Sequence, residues 1–199
     1  MTEPAGRARC GTCLRPQSAC ICQWIRPVAH EAEVLILQHP LEAGHAKNTG
    51  RLLHMSLPRS RMLTGEIFEE AELRAAMAET PAYTVLLYPP TSQDDEVPAL
   101  DLERLKDPSR VRLVVLDATW RKSRKMLHLN PLLRRLPRLS LEDVRASAYL
   151  IRKAHKPGQL STLEAACVAL AQLEGDAGRY QPLLQALDGF VAQQQAFLP

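Results

Sequence analysis

The sequence has no long hydrophobic run and few aromatic residues. None of its apolar stretches approaches the roughly 20 residues that a transmembrane helix needs, and its first residues lack the hydrophobic core of a signal peptide. Aromatic residues make up 5% of the 199 residues, which argues against a platform that stacks the bases of long single strands. We therefore expect a cytoplasmic protein without a membrane partner, and no feature of the sequence indicates an obligate protein partner.

Acidic residues are absent from positions 118–141, although the whole chain carries a net charge of only +3. On the helix predicted in this window, Arg121, Arg124, Lys125 and His128 follow the spacing i, i+3, i+4, i+7, which places them on one face. Such a face suits either a solvated surface helix or a surface that binds the phosphates of RNA or DNA. Because aromatic residues are few, recognition of the shape or backbone of a folded nucleic acid fits better than base stacking.

Cysteine is concentrated in one short segment, and a reducing cytoplasm disfavours disulfides there. Cys10, Cys13, Cys20 and Cys22 form a C-x2-C-x6-C-x-C pattern, which suits a tetrahedral Zn²⁺ ion with sulfur in all four positions. Such a closed site would hold the N-terminal arm and perform no chemistry. An iron–sulfur cluster and a redox pair are the alternatives. The fifth cysteine, Cys167, lies in an apolar helical pattern and is predicted to be a core residue.

Short apolar runs alternate with helical patterns along the rest of the chain. Continuously apolar strands between helices predict an α/β fold, with a mostly parallel sheet that is covered by helices on both faces. We expect an N-terminal arm with the cysteine module over 1–26 and a main domain over 27–199. The predicted strands are 33–39, 60–67, 83–88, 111–116 and 138–141, with a further element at 149–152, and the predicted helices are 48–57, 68–79, 119–129, 162–173 and 181–197, with a polar loop over 40–51.

Three of the predicted strands end in unusual residues, at 38–40, 88–90 and 117–120. In parallel sheets the ligand site lies outside the carboxyl ends of the strands. If these strands are neighbours, their ends therefore line one crevice.

Two polar clusters lie at the start of predicted helices, and each has a structural and a functional interpretation. Asp117 is a helix cap, a general base or an anchor for a polar ligand group, and Thr119 offers an alternative cap. Trp120 is interpreted from its size as a core residue more readily than as a ligand platform. Before the later helix, Ser161 or Thr162 combines with Glu164 as a cap, or the free N–H groups bind a ligand.

The ordered set of motifs resembles that of the DTW-domain family, which is named for the residues found here as Asp117, Thr119 and Trp120. No single motif is decisive, but the set is specific and spans most of the chain. It comprises the N-terminal four-cysteine cluster, Leu37-Gln-His-Pro40 with Asn48-Thr49 downstream, Leu87-Tyr-Pro89, Leu116-Asp-Ala-Thr-Trp-Arg-Lys-Ser-Arg-Lys-Met126 and Leu160-Ser-Thr-Leu-Glu-Ala165.

The resemblance implies a tRNA-uridine aminocarboxypropyltransferase, which transfers a 3-amino-3-carboxypropyl group from S-adenosylmethionine to N3 of a uridine in tRNA and releases methylthioadenosine. It also implies that residues 27–199 form a DTW catalytic domain with a SPOUT-like knotted C-terminal part. Two functions stay open beside it: a SAM-dependent RNA methyltransferase, and a non-catalytic zinc-containing RNA-binding protein.

The resemblance also implies roles for individual residues. Asp117 is expected to take the proton from uridine N3. The cofactor-binding positions are expected to be Leu87, Tyr88, Pro89, Thr119, Trp120, Leu160, Ser161, Thr162 and Glu164. The RNA-binding positions are expected to be His39, Lys47, Asn48, Arg51, Arg121, Arg124 and Lys125.

Overall fold

Five parallel strands form a sheet in the order β2-β1-β4-β3-β5. The structure, a computed structural model, describes residues 8–78, 82–90, 97–141 and 160–196. The strands are almost wholly buried at the sheet centre because their residues are nearly all apolar, as predicted. Their bounds are β1 Glu33–Gln38, β2 Ser60–Thr64, β3 Tyr83–Leu87, β4 Val111–Asp117 and β5 Arg138–Leu139.

Helices cover both faces of this sheet, which confirms the predicted α/β fold. Side chains alternate along each strand, so Val34 and Ile36 join the core on one face, and Leu35 and Leu37 join the core on the other. The helices α2 and α6 pack on the first face, and α3, α4 and α5 pack on the second. The helical bounds are α1 Pro40–Ala43, α2 Gly50–Ser56, α3 Glu70–Ala78, α4 Trp120–Leu129, α5 Pro131–Arg134, α6 Thr162–Leu173 and α7 Gln181–Gln195.

Several boundaries differ from the prediction for local reasons. The loop expected over 40–51 contains α1, which begins at a proline, a residue that fits the first helical turn. The helix expected from Asn48 begins at Gly50, because the Asn48 side chain accepts a hydrogen bond from the Arg51 N–H at the helix start. A short helix that was not predicted, α5, begins at Pro131, a residue that fits the first helical turn. The element expected at 149–152 lies outside the described residues.

The cysteine module packs against α7 and shares the core of the α2/α6 face. Its Cys13 and Ile21 are fully buried in that core, and two short 3₁₀ helices, Gln17–Ala19 and Cys22–Trp24, shape it. The Trp24 indole donates a hydrogen bond to Gln193 Oε1 on α7, and Gln193 Nε2 donates to the Cys20 carbonyl. The division of the chain at residue 26 stays a prediction.

The described residues contain no helix that is both long enough and apolar enough to span a membrane. The knot predicted for the C-terminal part also stays a prediction, because residues 142–159 lie outside the described residues.

Candidate active site

The Asp117 carboxylate lies at the carboxyl edge of the sheet and is only 2% exposed. Its Oδ2 accepts hydrogen bonds from Gln38 Nε2 at 2.8 Å and from Asn48 Nδ2 at 2.7 Å. Its Oδ1 accepts a hydrogen bond from Thr162 Oγ1 at 2.7 Å. The carboxylate therefore joins the end of β4 to the end of β1, to the loop before α2 and to the first turn of α6.

Local sequence explains why these groups converge. The parallel register places Gln38 opposite Asp117, and both side chains extend to the α2/α6 face, like Ile36 and Val115 two residues before them. The first turn of α6 also reaches this edge through the Thr162 hydroxyl, and the helix dipole favours an anion near a helix N-terminus. A buried carboxylate with three donors is consequently well accommodated here.

Glycine at position 50 makes room for this carboxylate. A methyl group on Gly50 would collide with both carboxylate oxygens of Asp117. Gly44, in the preceding loop, has nothing within 4 Å of such a methyl group and an ordinary φ of −94°. Position 50 is thus restricted by packing against the acidic group.

We expect Gly50→Ala to destabilise the protein by about 1–3 kcal/mol, the usual effect of overpacking, and to lower activity by displacing Asp117. Helix propensity alone predicts the opposite sign, since alanine favours a helix over glycine by about 1 kcal/mol. Urea denaturation measures the free energy of unfolding. Gly44→Ala is the matched control and should change neither stability nor activity; equal behaviour of the two variants would contradict the close packing at Gly50.

Trp120 is 57% exposed, so the interpretation of this residue as core is wrong. It is the first residue of α4 and lies at the edge of the sheet, while Ser123, Met126 and Leu127 occupy the buried side of that helix. Its ring contacts Tyr88 edge to face, with ring centroids 5.6 Å apart. Tyr88 is buried, and its hydroxyl lies 3.3 Å from Ser123 Oγ. Tyr88 therefore supports Trp120, whose indole is free to contact a ligand.

The polar residues at the helix starts have different roles. Ser161 and Glu164 form a capping box: the Glu164 N–H donates to Ser161 Oγ at 3.2 Å, and the Ser161 N–H donates to Glu164 Oε2 at 2.7 Å. This confirms the capping interpretation. Thr119 occupies the N-cap position of α4 but makes no capping hydrogen bond with its side chain. Thr162 is the residue of this group that contacts Asp117.

The predicted cofactor positions lie on elements that meet the carboxyl edge. Leu87 and Pro89 come from the end of β3 and are half-buried. Leu160, Ser161 and Thr162 come from the start of α6 and are also half-buried. Because β1, β4 and β3 are neighbours in the sheet, their carboxyl ends lie side by side, and Thr162 from the start of α6 contacts Asp117 there.

The cations predicted to share one face of α4 are all exposed: Arg121, Arg124, Lys125 and His128. Lys125 Nζ lies 2.9 Å from Glu66 Oε2. In the parts of the chain that the structure describes, Arg121 and Arg124 have no acidic partner. Hydrogen bonds from Lys125 and His39 lower the pKa of Glu66. The exposed face of α4 therefore keeps two arginines available for an anion.

The other predicted RNA-binding residues differ in accessibility. His39 is 5% exposed; its Nδ1 accepts from the Leu41 N–H, and its Nε2 lies 3.0 Å from Glu66 Oε1. Asn48 is buried and bonded to Asp117. Lys47 is exposed and Arg51 is half-buried. Lys47 and the α4 cations are therefore accessible to solvent, whereas His39 and Asn48 are buried.

The four cysteines of the N-terminal module bring their sulfur atoms within 4.8 Å of one another, and this cluster could hold a metal ion. The Cys10 and Cys22 sulfurs are 3.6 Å apart, and those of Cys13 and Cys20 are 3.8 Å apart. Backbone N–H groups of Cys13 and Thr12 lower the pKa of Cys10 to about 6. Burial and the neighbouring thiols raise the pKa of Cys22 to about 12. Adjacent thiolates repel one another, so a cation would stabilise all four together.

Sequence reasoning missed several residues that build the site. Gln38 was noted only as the end of a strand, although its amide is a direct partner of Asp117. Gly50 gave no signal, because only the packed structure shows the carboxylate beside it. Glu66, which links His39 to Lys125, lies in the loop after β2, whereas the sequence placed this position in the strand predicted over 60–67. A glutamine that ends a buried apolar strand was the one available indication.

Comparison with known proteins identifies the family of this chain. The family model of the DTW domain matches residues 7–195. The chain belongs to the DTW domain family. It is 31% identical over 193 residues to mouse tRNA-uridine aminocarboxypropyltransferase 2, with 94% of this chain and 64% of the mouse protein covered. No solved structure matches this DTW protein.

Insect and plant relatives extend the similarity. The chain is 32% identical over 192 residues to tRNA-uridine aminocarboxypropyltransferase 2 of Drosophila melanogaster, with 92% of this chain and 74% of the fly protein covered. It is 27% identical over 222 residues to tRNA-uridine aminocarboxypropyltransferase A of Arabidopsis thaliana, with 96% of this chain and 83% of the plant protein covered. The chain thus spans less than two thirds of the length of the mouse relative and more than two thirds of the lengths of the fly and plant relatives.

Proposed function

We propose that this DTW protein transfers the 3-amino-3-carboxypropyl group from S-adenosylmethionine to N3 of a uridine in tRNA and releases methylthioadenosine. The observation that carries the proposal is the buried Asp117 carboxylate, which lies at the carboxyl edge of a parallel sheet next to the helix with exposed arginines. Relatives that match most of the chain carry the name of this activity.

The reaction places few chemical demands on the protein. The N3–C bond forms as the bond between the sulfonium sulfur and the aminocarboxypropyl carbon breaks, and the electron pair of that bond neutralises the sulfur. The donor is therefore already activated, and the protein must align the correct carbon with the incoming nitrogen. The N3 proton must also be removed, for which a positioned base contributes about 10²–10⁴-fold.

Asp117 is the proposed base. Its Oδ1 accepts one hydrogen bond in the structure, from Thr162, whereas Oδ2 accepts two, from Gln38 and Asn48. Oδ1 is therefore the oxygen with spare acceptor capacity. A uridine that enters from the carboxyl edge would present its N3–H to this oxygen, while the other oxygen stays fixed by its two amide donors.

The proposed donor site lies between the end of β3 and the start of α6. Leu87, Pro89 and Leu160 supply partly exposed apolar contacts, and Trp120 supplies an exposed ring. Among the remaining predicted positions, Tyr88, Thr119, Ser161, Thr162 and Glu164 shape this wall, of which Tyr88 and Glu164 are buried supports.

The cysteine cluster is proposed to hold Zn²⁺. A tetrahedral ion with Zn–S distances of about 2.3 Å separates its ligands by roughly 3.8 Å, and the sulfur pairs lie at 3.6 and 3.8 Å. The ion would hold the arm against α7 and supply no catalytic step. Thiols that must stay reduced to bind metal also favour the cytoplasm as the compartment.

The exposed face of α4 is proposed to bind tRNA phosphates through Arg121, Arg124 and Lys125, with Lys47 and Arg51 at the rim and His39 and Asn48 behind them. Phosphate contacts position a nucleic acid without reading its sequence. The edge of this surface at Trp120 lies three residues from Asp117. The helix would therefore hold the strand whose uridine enters the site.

We expect Arg124→Ala to weaken tRNA binding and to reduce the slope of log K against log salt concentration by about 1, since one phosphate contact is lost. Filter binding at several salt concentrations measures this slope. Arg110→Ala is the control, because Arg110 is exposed and precedes β4, at the opposite edge of the sheet. An unchanged slope in Arg124→Ala would remove this residue from the interface.

Nucleoside analysis of tRNA tests the proposed reaction in cells. In a strain that lacks the gene, mass spectrometry should show the loss of a uridine that carries an aminocarboxypropyl group, and the intact gene should restore it. Loss of a methylated nucleoside instead would identify a methyltransferase. If all modifications persist, the non-catalytic RNA-binding function gains support over the proposed one.

A further inference from the structure

Arg15 connects the cysteine module to the segment that holds Asp117. Its Nη1 donates to the Ala46 carbonyl at 2.7 Å, and its Nη2 donates to the Asn48 carbonyl at 2.8 Å. The guanidinium also lies 5.3 Å from the ring centre of Phe190 on α7. The planar guanidinium holds its donors in a rigid fork, whereas the ammonium group of lysine is a compact charge on a flexible stem.

The backbone of Arg15 belongs to the turn that presents the metal ligands. Its carbonyl accepts a hydrogen bond from the Cys10 N–H at 2.8 Å, and the preceding Leu14 adopts a left-handed φ of 58°. A change in the fold of the cysteine turn must therefore displace Arg15. Arg15 lies only two residues after Cys13, one of the four clustered cysteines.

Asn48 carries the connection onward to the acidic centre. Arg15 binds its backbone carbonyl, while its side-chain Nδ2 donates to Asp117 and its Oδ1 accepts from Gln38 Nε2 at 3.2 Å. The next residue, Thr49, accepts a hydrogen bond from the Leu163 N–H on α6 at 3.3 Å. One short segment is thus held by the cysteine module on one side and by the site on the other.

The loop that leads to Asn48 also has hydrogen bonds within itself, from the His45 N–H to the Glu42 carbonyl and from the Asn48 N–H to the His45 carbonyl, but these do not attach it to the rest of the protein. Residues 43–47 are all exposed, and the chain becomes buried only at Asn48. Two charge-assisted hydrogen bonds from Arg15 replace the packing that such a segment lacks. Without them we expect the loop to open locally, which would leave the Asn48 amide less often on Asp117.

We propose that Arg15 is a positioning residue, which fixes Asn48 and thereby the Asp117 carboxylate, so that the cysteine module sets the geometry of the candidate active site. The proposal rests on the proposed function for its catalytic consequence alone. Its structural content, the attachment of residues 44–50 to the module, does not depend on which reaction the protein performs.

Amide hydrogen exchange tests the attachment directly. In the full-length, metal-loaded protein, Arg15→Ala should raise the exchange rate of residues 44–50 by about tenfold or more, with the metal content unchanged. Arg26→Ala is the matched control, because Arg26 flanks the same module but donates to carbonyls of its own segment, those of Gln23 and Ile25. It should leave exchange in 44–50 unaltered.

Kinetics test the consequence for Asp117. Arg15→Ala should lower kcat about tenfold while the KM for S-adenosylmethionine stays within about twofold, because the donor site itself is untouched. In an Asn48→Ala background, Arg15→Ala should cause little further loss, since both changes act on one connection. Arg26→Ala should combine with Asn48→Ala without such coupling.

Arg15→Lys distinguishes a loss of positioning from a general loss of stability. It keeps the positive charge but replaces the rigid fork with a single nitrogen on a flexible stem, so exchange in 44–50 should still rise while the thermal midpoint stays close to that of the wild type. Unchanged exchange in both Arg15 variants, or fully additive kinetic losses with Asn48→Ala, would overturn the proposal. If the wild-type protein shows no transfer activity, the proposed function fails and the exchange result still decides the role of Arg15.

Discussion

Asp117→Asn should lower kcat by about 10²–10⁴-fold, the contribution of a positioned base, while the protein keeps its fold. The amide is nearly isosteric with the carboxyl group. Its oxygen can accept from Gln38 and Asn48, and its NH₂ group can donate to Thr162 Oγ1, so each partner keeps a hydrogen bond. What the substitution removes is the ability to accept the N3 proton. Single-turnover assays with saturating donor and tRNA measure the chemical step.

Asp117→Ala separates basicity from geometry. This variant leaves Gln38, Asn48 and Thr162 without their buried partner, and each unsatisfied group costs about 1–3 kcal/mol. We therefore expect Asp117→Ala to lose both activity and stability. Asp117→Asn should lose activity and keep the stability of the wild type. Glu103→Gln, on the exposed surface, controls for the loss of a carboxylate. If Asp117→Asn retains kcat within about threefold, the carboxylate is not the base.

Cys10→Ser should abolish stoichiometric metal binding and lower the thermal midpoint by roughly 10 °C, which corresponds to ~3–4 kcal/mol for a chain of this length. Structural zinc contributes on the order of 10 kcal/mol in small zinc-finger domains, but here the module also packs Cys13 and Ile21 into the main core. We therefore expect the sheet to persist while the module loosens. Elemental analysis and thermal denaturation measure the two effects, and elemental analysis distinguishes zinc from iron.

Cys167→Ala is the matched control for this experiment. Cys167 is the fifth cysteine and lies fully buried on α6, where its burial raises the pKa of the thiol far above its usual range. Its loss should leave the metal content at one ion per chain and should cost only the packing of one sulfur atom. Retention of full metal content in Cys10→Ser, or loss of metal in Cys167→Ala, would contradict the assignment of the ligands.

The sequence predicted the architecture well because the relevant signals are local. Continuously apolar strands indicated a parallel sheet covered on both faces, and the structure has this arrangement. The helix predicted over 162–173 has the same bounds in the structure, since the capping box of Ser161 and Glu164 defines its start. The four cysteines also come together as their spacing indicated. Each of these features depends on residues close together in the chain.

The contacts around Asp117 were not predictable in the same way, because they depend on strand order and register. Gln38 and Thr162 are 79 and 45 residues from Asp117, and no local pattern specifies such pairs. Trp120 was misjudged because its size favours burial, whereas its position at the first turn of α4 leaves it at the sheet edge. No local pattern indicates the role of Arg15, since its partners lie 31 and 33 residues onward.

The co-product formed in vitro distinguishes aminocarboxypropyl transfer from methyl transfer. The purified protein is incubated with S-adenosylmethionine and unmodified tRNA, and both the small molecules and the tRNA nucleosides are analysed by mass spectrometry. We expect methylthioadenosine and a uridine with an added aminocarboxypropyl group in equal amounts, and both should form about 10²–10⁴-fold more slowly with Asp117→Asn. Formation of S-adenosylhomocysteine together with a methylated nucleoside would contradict the proposed reaction.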